Sequence, residues 1–138
     1  MPGESFFGGR ARRVDWPAHA DERGLLQSFA LDELPFRPAR VFTVACVPPG
    51  TLRGGHSHRA GQQLLVCLQG RVDVTMRFAG EEILLYLLPG EPALLFGPGV
   101  WCSQNYADSG TVLLVFASEP YSPDSYVGEW NRPGIPEQ

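Results

Sequence analysis

The stretch that decides the fold is Gly50-Thr51-Leu52-Arg53-Gly54-Gly55-His56-Ser57-His58-Arg59-Ala60-Gly61-Gln62-Gln63, running on through Leu64-Leu65-Val66-Cys67-Leu68-Gln69 to Gly70. Extended backbone sends alternate side chains to opposite faces, so His56 and His58 project the same way from one strand. Gly54 and Gly55, just before them, tolerate close backbone approach and a sharp bend into that strand. The chain has 3 histidines. Two of them on one face of one strand mark a site better than they mark incidental surface groups. Residues 63–68 follow as a largely apolar strand closed by Gly70.

Further strands lie to either side. Residues 72–78 alternate cleanly, with Val72, Val74, Met76 and Phe78 on one face and Asp73, Thr75 and Arg77 on the other. Ala79-Gly80 turns the chain into 83–88, which Pro89-Gly90 ends. Residues 93–96, 100–104 and 111–118 complete the run. Upstream, 25–31 and 40–47 read as strands, the second rich in β-formers and stopped by Pro48-Pro49-Gly50. Short strands about 8–12 residues apart predict an all-β sandwich or small antiparallel barrel.

Composition agrees. The chain has 138 residues, 43% hydrophobic and 19% charged, with 16 glycines and 13 prolines. That suits one globular domain, 1–138, built on many tight turns. Residues 1–13, rich in glycine and arginine, read as a loose arm, and 121–138 as a tail wrapping the surface. The net charge of −4 gives no basic field for nucleic acid. All 11 basic residues are arginine, so Schiff-base lysine chemistry is excluded. Cys46, Cys67 and Cys102 are odd in number and widely spaced, unlike a secreted disulfide framework. With no apolar signal core and no membrane-length run, a reducing cytoplasm is the expected compartment.

The quoted stretch resembles the first cupin motif, G-(x)5-H-x-H-(x)4-E-(x)6-G, from Gly50 through His56 and His58 to Gly70, with every spacing kept. Gln63 stands in the glutamate position. A looser second resemblance at Gly97-Pro98-Gly99-Val100-Trp101-Cys102 puts Cys102 where the last histidine of a metal-binding cupin falls. Two histidines, a neutral amide and a thiol are a poor set for a dication.

A closer resemblance covers most of 21–130: the nucleotide-linked sugar 3,4-ketoisomerases, the WxcM-like branch of the cupins. Its landmarks are Asp21-Glu22-Arg23-Gly24-Leu25, Leu34-Pro35-Phe36, Arg40-Val41-Phe42, the Arg53 to Arg59 stretch, Gln63 to Leu68, Gly97 to Trp101, Leu114 to Ser118, and Tyr121-Ser122-Pro123-Asp124-Ser125-Tyr126. The resemblance implies a cupin-type jelly roll and a 4-keto-6-deoxyhexose on thymidine diphosphate as substrate. It also implies His56 and His58 as the essential pair, Gln63 as the normal occupant of its position, no metal or other cofactor, and a homodimer that exchanges or pairs edge strands. Two departures stand out: Phe42 and Thr43 where many members carry tyrosine, and Cys102 where many carry histidine. Both remove polar groups from around the sugar.

Moving a ketone from C4 to C3 needs a base of near-neutral pKa, a donor to the developing oxyanion, and a dry pocket. Histidine, at roughly 6.5, suits the first role. His58 is read as the base and His56 as the donor, an assignment that is reversible. Arg53 is a candidate diphosphate clamp. Arg23 suits pyrophosphate contact or a local salt bridge equally. Gln63 hydrogen-bonds to substrate or to a histidine. Gln104 and Tyr106 are candidates to reach the sugar or base, and Cys102 is a candidate pocket-lining thiol. Tyr121, Tyr126 and Trp130 read as tail anchors. Three alternatives stay open: a metal-dependent cupin enzyme, a sugar 3,5-epimerase, and a non-catalytic sugar-nucleotide-binding cupin. The C4 stereochemistry of the product is not encoded in any motif.

Overall fold

The computed structural model describes residues 4–128. Its strands, in chain order, are β1 (Ser5–Phe6), β2 (Ala11–Val14), β3 (Ala18–Asp21), β4 (Gly24–Gln27), β5 (Arg40–Ala45), β6 (Leu52–His58), β7 (Gln63–Gln69), β8 (Val72–Phe78), β9 (Glu81–Leu87), β10 (Ala93–Phe96), β11 (Trp101–Tyr106), β12 (Val112–Ala117) and β13 (Tyr126–Gly128). One sheet runs β1-β2-β10-β7-β12-β5, a second runs β13-β6-β11-β8-β9, and β3 with β4 forms a separate hairpin. Every pairing is antiparallel.

The apolar alternation sorts directly onto this frame. Leu65, Cys67, Leu94, Phe96, Leu113 and Val115 of the six-stranded sheet share a core with Val72, Val74, Met76, Leu85, Leu87, Cys102 and Tyr106 of the five-stranded one. The six-stranded sheet is covered on its other face as well. There Leu64, Val66, Ala93, Leu95 and Phe116 pack with Leu34, Trp16, Phe29 and Phe36 from the segment before β5. A strand buried on both faces reads as a continuous apolar run, as 63–68 does.

The expected all-β jelly roll holds, as a sandwich: the two sheets face each other without closing into a barrel, and the edges at β1, β5, β9 and β13 stay separate. Other expectations are corrected. The first residues are not a loose arm from residue 4 onward. β2 pairs with β10 from Ala93↔Val14 to Phe96↔Ala11, Phe7 and Ala11 are buried, and the Arg10 guanidinium lies 4.6 Å from the Phe78 ring centre. Strands of two and four residues are too short to carry a visible period, and the arginines disguised them. The stretch expected as a strand over 25–31 is split: β3–β4 turns at Glu22-Arg23, and a single 3-10 turn spans Leu31–Glu33. The start of the tail joins a sheet, with β13 paired to β6. Trp130 lies outside the described residues.

Candidate active site

His56 and His58 sit on β6, near the end of the five-stranded sheet. His56 is 2% exposed and faces Cys102 across to β11. The two imidazoles stand edge to face, centres 5.2 Å apart. The inward projection read from their spacing therefore holds. Between Arg53 and His56 the ladder slips by one residue: Gln104 pairs with Arg53, and Cys102 with His56. Gly54 and Gly55 both have φ +79, a left-handed conformation that costs other residues strain. A Cβ on Gly54 would stand 2.8 Å from the Cys102 carbonyl oxygen. This bulge turns Arg53 onto the face of the histidines, where strict alternation would have put it on the opposite one.

The facing wall comes from the six-stranded sheet. Register places Arg40, Ala117, Gln63 and Phe96 in one row across β5, β12, β7 and β10. Arg40, Gln63, Ala117 and His58 line one cleft with Glu119 and Tyr126. The Arg40 guanidinium lies over Phe42 at 4.7 Å and over Tyr121 at 5.5 Å. Burial, and secondarily the positive charge of Arg40, push the His58 imidazole down to about 4. His58 is thus neutral at physiological pH. Its Nε2 is buried with no hydrogen-bond partner among the described residues.

Tyr126 closes the cleft. Its ring centre is 4.4 Å from that of His56 and 4.8 Å from that of His58. Register sets Tyr126 against His58, and the Arg59 backbone and guanidinium donate to the Ser125 and Asp124 carbonyls at 2.7 and 3.1 Å. The free volume left is about 20 Å³, room for roughly one water molecule.

Of the residues predicted from sequence, His56, His58 and Gln63 come together here, and Arg53 lies further along β6, in register with Gln104. Cys102 and Gln104 are buried beside them on β11, and the Gln104 amide Nε2 donates to Cys102 Sγ at 3.2 Å. Burial pushes the Cys102 thiol up to about 12, against the smaller opposite pull of Gln104. It is a thiol, not a thiolate. Tyr106, further along β11, belongs to the core between the sheets. Arg23 stays away: it sits at the β3–β4 turn with its side chain 85% exposed and pairs with Asp21 at 2.7 Å. The local salt bridge is the contact that the chain itself makes there. Arg40 was missed as a site residue and Tyr126 was read only as an anchor. The one signal for either was membership of a landmark. Among the described residues no three His, Cys, Asp or Glu side chains converge as a metal-holding group.

Fold and site define a cupin-type sandwich with an imidazole pair at one end, walled by an arginine, a glutamine and a tyrosine. Known proteins agree. The WxcM-like, C-terminal family model (FdtA) matches residues 10–132, and the chain belongs to that family. It is 30% identical over 115 residues to a TDP-4-oxo-6-deoxy-alpha-D-glucose-3,4-oxoisomerase of Aneurinibacillus thermoaerophilus, covering 81% of each chain. Among solved structures it resembles QdtA, a sugar 3,4-ketoisomerase of Thermoanaerobacterium thermosaccharolyticum, in complex with TDP. The TM-score is 0.81, with 31% identity over 88% of this chain and 89% of that one. A variant of QdtA in complex with TDP-4-keto-6-deoxyglucose matches with a TM-score of 0.80 and 31% identity, over 86% of each chain.

Proposed function

We propose that this protein is a 3,4-ketoisomerase that moves the ketone of a thymidine-diphosphate-linked 4-keto-6-deoxyhexose from C4 to C3 without a metal, as a step in deoxysugar biosynthesis. The observation that carries this reading is the His56–His58 pair facing one cleft, His56 buried and His58 half-buried, with His58 neutral beside a cation. The relatives named above act on, or are bound to, the matching ligands.

The C3 hydrogen lies next to the C4 carbonyl and is therefore acidic. His58 removes it through a neutral imidazole nitrogen, and the electron pair forms the C3–C4 double bond of an enediolate. His56 hydrogen-bonds to the sugar oxygens. The protonated His58 returns a proton to C4, and the O3 proton passes to O4 by way of His56, so that the ketone is left at C3 and a hydroxyl at C4. Gln63 orients the sugar from the opposite wall, and Arg53 reaches toward the diphosphate. The cleft admits the sugar only when Tyr126 moves off the histidines, so the start of the tail opens for binding and closes to exclude water. No step needs an ion.

The reading extends to a cytoplasmic homodimer. Cys46, Cys67 and Cys102 are free, no helix among the described residues is long and apolar enough to cross a membrane, and edge strand β9 exposes Leu84 and Tyr86. The acidic chain has no basic surface field for nucleic acid.

Incubation with thymidine-diphosphate 4-keto-6-deoxyglucose in deuterated water, followed by NMR, tests the function. Deuterium at C4 and a C3 ketone are expected, undiminished after dialysis against a chelator. Deuterium at C3 and C5 with the ketone still at C4 would mean epimerisation. Binding without exchange would mean a non-catalytic module.

A further inference from the structure

We propose that Arg40 is a catalytic residue of this isomerisation, its guanidinium donating to the sugar oxygen on which the enediolate charge develops. This rests on the ketoisomerase reading above and adds to it the group that carries the charge.

Four observations converge on Arg40. It shares the cleft with His58 and Gln63, and it stands in one register row with Gln63 across Ala117, whose methyl group leaves the space between them open. The rings of Phe42 and Tyr121 hold its guanidinium at 4.7 and 5.5 Å, limiting the freedom that a long side chain would lose on binding. No carboxylate among the described residues pairs with it, whereas Arg23, Arg71 and Arg77 each have an acidic partner. Its Nε is buried without a hydrogen-bond partner among those residues. A half-buried cation left unneutralised costs stability. An anion that appears only during the reaction is what repays that cost. The planar fork suits a sugar oxygen flanked by a second oxygen, as in an enediolate.

The same placement serves His58. Among the described residues, the charged or titratable groups around that imidazole are Arg40 on β5, His56 on β6, Tyr126 on β13, and Glu119 and Tyr121 in the segment after β12. Arg40 is the one whose charge disfavours the imidazolium. A single cation therefore adds to the burial that keeps the base unprotonated, and receives the charge that the base creates.

Arg40→Met tests the assignment with the full chain. Its kcat is expected to fall about 10²–10³-fold, the loss seen when one oxyanion donor is removed. KM and the Kd for TDP should stay within about threefold, as expected when an interaction made only in the transition state is lost. The acid limb of kcat/KM should move upward, toward the ordinary histidine value of roughly 6.5. Unchanged TDP affinity and a cooperative melt show that the variant folds. Arg40→Lys keeps the charge without the fork and is expected to lose about tenfold in kcat with the acid limb unmoved; it carries the test alone should the methionine variant not fold. Turnover within about threefold of wild type in either variant overturns the proposal. So does a loss of TDP affinity above about tenfold with kcat retained, which would make Arg40 a diphosphate clamp. If the wild-type protein itself exchanges no deuterium, the ketoisomerase reading fails instead.

Discussion

His58 shows how one residue's surroundings set its chemistry. An imidazole in water is half protonated near pH 6.5. Burial between the sheets and the nearby Arg40 charge hold this one down to about 4. Only the neutral form accepts a proton, so kcat/KM for the wild-type protein is expected to hold as pH falls through 6 and to decline only as it approaches about 4. A pH–rate profile checks this, and an acid limb near 6.5 would contradict it. His58→Asn keeps a hydrogen-bonding group of similar shape but has no basic nitrogen. It should cut kcat by about 10²–10⁴-fold, the usual contribution of a general base, while TDP binding measured by calorimetry changes little. Retained exchange in His58→Asn together with its loss in His56→Asn would reverse the two roles.

At the scale of elements, the bulge in β6 is the device that assembles the site. Two consecutive glycines at φ +79 absorb one extra residue, so Arg53, His56 and His58 all face the cleft. A side chain at Gly54 meets both the backbone strain and the Cys102 carbonyl. Gly54→Ala is therefore expected to destabilise the fold by about 1–3 kcal/mol and to impair activity with it. Gly80, in the β8–β9 turn at φ +83, would place its Cβ within 4 Å of nothing, so Gly80→Ala carries the strain alone. Urea denaturation of the two variants separates contact from conformation; equal losses would mean that the Cys102 carbonyl is not the obstacle. On the other side of β6, the three-residue strand β13 holds Tyr126 over both rings.

Across the whole molecule, the neutral imidazole at the site affects stability. The folded pKa of His58 lies below its unfolded value, so between about 6.5 and 4 the unfolded chain binds more protons than the folded one. Stability should therefore fall on acidification through that window. The loss is at most about 3 kcal/mol, lessened by the partial solvent access of the ring. Chemical denaturation at pH 7.5 and pH 4.5, compared between wild type and His58→Asn, isolates the contribution. The variant should show the smaller pH dependence, and equal slopes would assign it elsewhere.

The succession of strands along the second half of the chain, the alternating faces of β8 and the common direction of the two histidines were legible in the sequence because each depends only on neighbours along one strand. The doubly buried β7 was legible too, since an apolar run without alternation is what a strand between two cores requires. Three things waited on the tertiary structure. Arg40 meets His58 because strands from the two sheets line one cleft. Tyr126 reaches both rings through the pairing of β13. Arg23 stands at a hairpin tip, paired with Asp21. Local periodicity tells which face a side chain takes. Which faces meet is set by register, by the bulge and by the order of strands in each sheet, and these arise from contacts between residues far apart in the chain.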